Sequence, residues 1–122
     1  MKPKYSFFSN AKYALDGVLA MLKYEVAFRI ELAIIIPAAI ISFFLRLSLL
    51  EHLFLLFSLF LILIVEALNS SIEACVDLFT SKWHEKAEIA KDCASAAVFF
   101  SVIFAILVYI IFVFKSFGIF FV

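Results

Sequence analysis

Five polar side chains stand at helical spacing in the stretch "EALNSSIEACVD", residues 66–77: Glu66, Asn69, Ser70, Glu73 and Asp77. At about 100° per residue, Asn69 sits about 60° to one side of Glu66 and Glu73 about 20° to that same side. Asp77 and Ser70 lie about 20° and 40° to the other side, so all five share a wedge of about 100°. Acidic oxygens gathered in this way suit a hard cation, and Mg2+ in particular is held by one or two carboxylates plus substrate phosphates. A carboxylate set apart from the others can take a proton from a hydroxyl. A second row, Glu88, Lys91, Asp92 and Ser95, runs at i, i+3, i+4, i+7 and also occupies one helix face. Glu25, Arg29 and Glu31 form a third group. Phosphoryl transfer to a lipid alcohol fits this division of labour, because it needs positioning, a metal and a base rather than a covalent nucleophile. No GxxxxGK(S/T) loop or protein-kinase signature set accompanies the carboxylates. Spacing alone therefore stops at a carboxylate site that is possible for metal binding. A small proton- or cation-coupled transporter using Glu66 explains the same stripe, although transporter sites favour the bilayer midplane. A structural membrane subunit is the third alternative, and it predicts no nucleotide binding.

The element that carries the first row begins as a greasy helix. The run "LFLLFSLFLILIV", residues 53–65, is apolar apart from Ser58. It rises only about 20 Å against a hydrocarbon core of about 30 Å, so the helix must continue past Val65. Glu66 then lies within or at the edge of one leaflet, where a carboxylate is expensive and marks function by default. The pattern predicts a span over 52–80 that carries the stripe out of the membrane, with Glu51 and His52 as a short outer turn. A second span is predicted over 85–115, around the uncharged run "ASAAVFFSVIFAILVYIIFVF" at 94–114. The connection "TSKWHEK" is short, which makes these two helices antiparallel neighbours. A further span is predicted over 31–50, with Arg46 snorkelling outward. Before it, residues 6–30 repeat apolar side chains at helical spacing, with Lys12, Asp16 and Lys23 opposite. This reads as one amphipathic helix lying in the membrane interface.

Composition agrees with lipid as the solvent. Of 122 residues, 67% are hydrophobic and 17 are Phe, with a mean hydropathy of +1.19. A soluble domain sits nearer half apolar, and one domain of this length could not hide so much oil from water. The net charge of zero leaves no basic footprint, so nucleic acid is not an expected partner. Cys75 and Cys93 have no CxxC spacing and read as buried small residues rather than a disulfide or metal pair. No secretory signal peptide is read at the N-terminus. Lys2, Lys4, Lys12, Lys23 and Arg29 precede the first span, and Lys82, Lys86 and Lys91 lie between the second and third. The positive-inside bias predicts a cytoplasmic N-terminus and a cytoplasmic 78–92 connection.

At "EALNSSIEACVD" the chain resembles the signature of the prokaryotic diacylglycerol kinase family: Glu, two residues, Asn, Ser/Thr, Ala/Pro, Ile/Leu, Glu, two residues, Val, Asp. Ser71 stands where the family usually has Ala or Pro. "AKDCASAAV" at 90–98 and "EVAFRIE" at 25–31 resemble two further family blocks, so the resemblance covers nearly the whole chain. It implies an all-α integral membrane protein, with three transmembrane helices and an N-terminal amphipathic surface helix. It also implies one lipid kinase domain over 1–122 and a homotrimer whose sites are shared between subunits. The implied reaction transfers the γ-phosphate of ATP to a membrane lipid hydroxyl with Mg2+, in the bacterial cytoplasmic membrane. Diacylglycerol is the expected acceptor; relatives that phosphorylate undecaprenol share the motifs. By position, Glu66 matches the catalytic base, and Glu25 and Glu73 match metal ligands that also meet the nucleotide. Tyr13, Asn69, Lys82, Trp83, His84, Lys91 and Asp92 match nucleotide positions. Ala11, Arg29, Glu31 and Ser95, with Glu66, match lipid-side positions. Leu15 stands where the family often has an aromatic, Asp16 where it has Lys, and Ser6 near a usual basic residue. His52 has no expected role.

Overall fold

The computed structural model describes Lys4 and residues 6–119, and every regular element among them is helical. Helix α1 runs Phe7–Tyr24, α2 Val26–Ser42, α3 Leu49–Phe79 and α4 Glu85–Ser116. Two of these, α3 and α4, are long and apolar enough to cross a membrane. They pack on one another as an antiparallel hairpin, joined by the Thr80–His84 turn, while α2 packs on α3 and α1 meets α2.

The core of the bundle is small and lies where α2, α3 and α4 meet. Ile35, Leu59, Ile62 and Ala105 cluster there, with Ala38, Ala39, Leu63, Val102 and Tyr109 packed around them. Ser42, Ser58 and Ser101 are buried, and each hydroxyl donates to a carbonyl three residues back on its own helix: Ala39, Leu55 and Val98. A serine so satisfied behaves as a small residue, and small residues let helix backbones approach closely. The Tyr109 hydroxyl donates to the Ala38 carbonyl at 2.9 Å and ties α4 to α2. Most large apolar side chains face outward, including Phe44, Phe60 and Phe100. That is the inverse of a water-soluble fold and is how a chain solvated by lipid or by other apolar surfaces distributes its oil.

Three boundaries differ from those read in the sequence. The surface helix does not run through 6–30. It stops at Tyr24, Glu25 takes an extended conformation with φ −107 and ψ 105, and α2 begins at Val26. The break is held by Arg29, whose Nη1 donates to the carbonyls of Leu22 at 2.8 Å and Lys23 at 3.2 Å. A guanidinium with several donors can thus satisfy the orphan carbonyls of a helix end that has no glycine. Nor does a helix fill 31–50, because α2 ends at Ser42 and the chain turns through Phe43–Leu45. Glu51 and His52 are not the outer turn; they lie in the first turn of α3. Ser48 caps that helix, its side chain accepting from the Glu51 amide at 3.2 Å while the Glu51 carboxylate accepts from the Ser48 amide at 2.9 Å. This reciprocal capping box starts the helix ahead of the charges instead of after them.

The far end of α4 closes as a Schellman motif: Gly118 donates to Lys115 and Ile119 to Phe114, with Gly118 at φ +78. Near it the Arg46 amide donates to the Ser116 hydroxyl at 2.8 Å, and Lys115 pairs with Glu51. The His52 ring stacks on Phe43, with centroids 6.1 Å apart. The cysteines are free, but both are exposed rather than buried.

Candidate active site

The polar residues occupy three levels along α3. At the deepest, Glu66 is only 3% exposed. Glu31 of α2 sets its carboxyl against that of Glu66. The Glu31 Oε2 is buried, and beyond the Glu66 carboxyl no other group reaches it. A ligand hydroxyl is a donor from which such a buried pair of carboxyls can accept. Glu66 is placed there by the helical continuity that carries α3 without interruption from Leu49 to Phe79.

One turn higher, the Asn69 amide donates to Glu73 Oε1 at 3.4 Å. The Asn69 carbonyl oxygen and the Ser70 hydroxyl are buried and unpartnered. Ser70 and Ser71 line a cavity of about 330 Å³ between α3 and the end of α1, and Glu25 closes its other side with Tyr24. Glu25 reaches this position because the helix breaks there; inside a continuous helix its backbone would have followed Tyr24 round the next turn. Among the described residues no three His, Cys, Asp or Glu side chains converge as a cage for a metal. Glu25 stands with Ser70 at this cavity, which Glu73 does not line, and Glu73 stands with Asn69. A Mg2+ held by one or two carboxylates takes its other ligands from water and phosphate.

The highest level is a groove of about 290 Å³ formed by the end of α3, the Thr80–His84 turn and the start of α4. Asp77, Lys82, Trp83, His84, Lys91 and Asp92 line it. Lys91 Nζ stands 2.6 Å from Asp77 Oδ1 and links the two polar rows across the hairpin. Trp83 Nε1 donates to Glu88 Oε2 at 2.8 Å, which fixes an otherwise exposed indole. His84 caps α4, its Nδ1 accepting from the Lys86 amide at 3.1 Å, and Thr80 Oγ1 accepts from the Lys82 amide at 3.1 Å. These two local bonds shape the turn that presents Lys82, Trp83 and His84 together.

The fold thus gathers Glu31 with Glu66, Asn69 with Glu73, Glu25 with Ser70, and the turn residues with Lys91 and Asp92. Ser95 is exposed one turn along α4 from Lys91. Ala11 and Tyr13 lie near the start of α1 and line neither cavity. Gly17, one helical turn beyond Tyr13, is the first α1 residue to line the α1–α3 cavity. Arg29 is engaged at the α1–α2 joint. Two residues that the sequence places in the polar rows without matching to a family role belong to the upper groove: Asp77 through its ion pair and Glu88 through Trp83. The antiparallel hairpin implied by the short connection was the signal that could have paired Asp77 with Lys91.

The family model of prokaryotic diacylglycerol kinase matches residues 12–113, a stretch that contains all but one of the residues above. The chain is similar to the diacylglycerol kinase of Escherichia coli strain K12, at 38% identity over 108 residues and 88% of each chain. It is similar to that of Haemophilus influenzae at 37% over 94 residues, covering 75% of this chain and 77% of the relative. With the Pseudomonas aeruginosa enzyme it shares 39% over 87 residues, 71% of each.

Proposed function

The chain belongs to the prokaryotic diacylglycerol kinase family and is a lipid kinase that uses ATP, and from that premise we propose that it phosphorylates diacylglycerol to phosphatidic acid by direct transfer. Glu66 takes the proton of the lipid hydroxyl. The hydroxyl oxygen attacks the γ-phosphorus of ATP, the bond from that phosphorus to the β,γ-bridging oxygen breaks, and ADP leaves with the electron pair. The observation that carries this reading is the burial of Glu66 against Glu31 at the base of a polar stripe. It sets a proton acceptor where a membrane-held alcohol can meet a phosphate arriving from water.

The other roles rest on the family resemblance. Glu31 and Arg29, with Ser95 and Ala11, face the lipid side. Asn69, Lys91 and Asp92 stand toward the nucleotide phosphates, with Lys91 offsetting their charge. Lys82, Trp83 and His84 meet the rest of the nucleotide, and Tyr13 does so from α1. Glu25 and Glu73 would hold Mg2+, which when bound neutralises phosphate charge as it accumulates. The unpartnered Asn69 oxygen and Ser70 hydroxyl beside these carboxylates support a polar ligand there.

We further propose that α2 is a third span, that the N-terminus and the α3–α4 turn face the cytoplasm of a bacterial inner membrane, and that three copies assemble with shared sites. Ala11 and Tyr13 line neither cavity of their own chain, which supports sharing. So does the large outward-facing apolar surface, which neighbouring copies would cover. Glu66→Gln in purified protein tests the base: turnover is lost while helicity and nucleotide binding persist, and near-normal turnover removes Glu66 from that role. Labelled ATP offered with diacylglycerol and with undecaprenol in parallel tests the acceptor; preferential labelling of undecaprenol overturns the assignment.

A further inference from the structure

We infer that Asp77 is a positioning residue for the kinase reaction, acting through Lys91. The inference rests on the phosphate-facing role of Lys91 proposed above. Lysine carries its charge on a flexible four-carbon stem, and in an open groove that charge has no preferred direction. Here it has one. Its Nζ is 2.6 Å from Asp77 Oδ1, across the hairpin from its own helix. It also lies within electrostatic reach of Glu73, one turn below Asp77 on the same face of α3. The ammonium is therefore drawn from α4 to the α3 wall of the groove, on the side where Glu73 and Asn69 stand.

The pair is poorly suited to a purely structural task. Its side chains are 41% and 62% exposed, and a solvated ion pair contributes little to folding stability. Asp77 is not needed to hold the helices together either, because the Thr80–His84 turn already joins α3 to α4 directly. Its contact does set where the positive charge waits before a triphosphate enters. A charge already oriented when charge develops on the transferring group acts without reorganisation. Asp77 keeps Lys91 at that place; among the described residues the ion pair of Lys91 is with Asp77 and not with Asp92, its neighbour in the chain, which lines the same groove.

The test is a cycle of single and double variants of the full-length protein in detergent or bilayer, with MgATP and diacylglycerol at saturation. Lys91→Met alone probes the underlying reading, and unchanged turnover in it would remove the premise. With that premise intact, Asp77→Asn lowers kcat about tenfold while the KM for lipid stays within about twofold. Asp77→Glu, which keeps the carboxylate, retains at least half of the wild-type rate, about a twofold loss at most. Adding Asp77→Asn to Lys91→Met changes the residual rate less than about twofold, since the effect runs through the lysine. Equal losses from Asp77→Asn in both backgrounds overturn the inference. So does an Asp77→Asn enzyme as active as wild type. If Lys91→Met falls below detection, the rescue by Glu decides: Asn and Glu variants of equal activity overturn it, and an active Glu beside an impaired Asn supports it.

Discussion

The α3–α4 hairpin carries an ion pair at each end, and the two do different work. At the turn end, Asp77 meets Lys91 in an open groove lined by other charges. At the open end, Glu51 meets Lys115 with side chains only 19% and 30% exposed. Glu51 there also completes the capping box of α3, and the adjacent Ser116 holds the α2–α3 connection. The same chemistry thus serves as a clasp where its partners are backbone groups and helix ends. It serves as an adjustable charge where its neighbours are other side chains facing a cavity. The lesson is that an ion pair's role is read from what else its members touch and how much water they keep, not from its distance.

This contrast can be broken or sharpened by variants at both ends. The largest effect belongs to the deep carboxylate on the turn side: Glu66→Gln should lower turnover by about 10²–10⁴-fold, the range for a lost general base, with circular dichroism unchanged. Next, Arg29→Lys replaces a forked donor by a point charge at the α1–α2 joint. Turnover should fall about tenfold as Glu25 loses its place, and proteolysis near residues 24–26 should quicken. At the open end, Lys115→Met should lower the thermal midpoint yet leave turnover within about twofold. A large loss of turnover with an unmoved midpoint would break the contrast. The smallest expected effect is Ser48→Ala, which removes the cap and costs about 1 kcal/mol of stability by denaturant titration, again with turnover intact.

Much of this is legible in the sequence. The all-helical architecture followed from unbroken apolar runs and the scarcity of Gly and Pro. The shared face of Glu66, Asn69 and Glu73 followed from their spacing, and the observed Asn69–Glu73 bond is its local expression. The break at Glu25 was not legible, because it depends on a side chain four residues later reaching back to carbonyls of the previous helix. No local propensity at Tyr24–Val26 announces it. The start of α3 could have been read: "SLLE" at 48–51 is a capping-box sequence, but the charges at 51–52 invited a loop instead. The exposure of both cysteines was missed because helical position, not residue type, decides which side of a hairpin a thiol occupies.

Helix α2 has a consequence of its own. Its 17 residues, Val26–Ser42, give a rise of about 25 Å, several ångströms short of an average bilayer's oily layer. With α2 spanning as proposed, the lipid around it must thin, because Glu25 and Arg29 at one end and the turn after Ser42 at the other resist being drawn inward. The helix that carries Glu31 toward Glu66 is therefore also a gauge of membrane thickness. Short-chain lipids should let it sit level, and long-chain lipids should pull that carboxyl out of register with its partner. Acyl length would then tune the kinase without touching a single residue of its site.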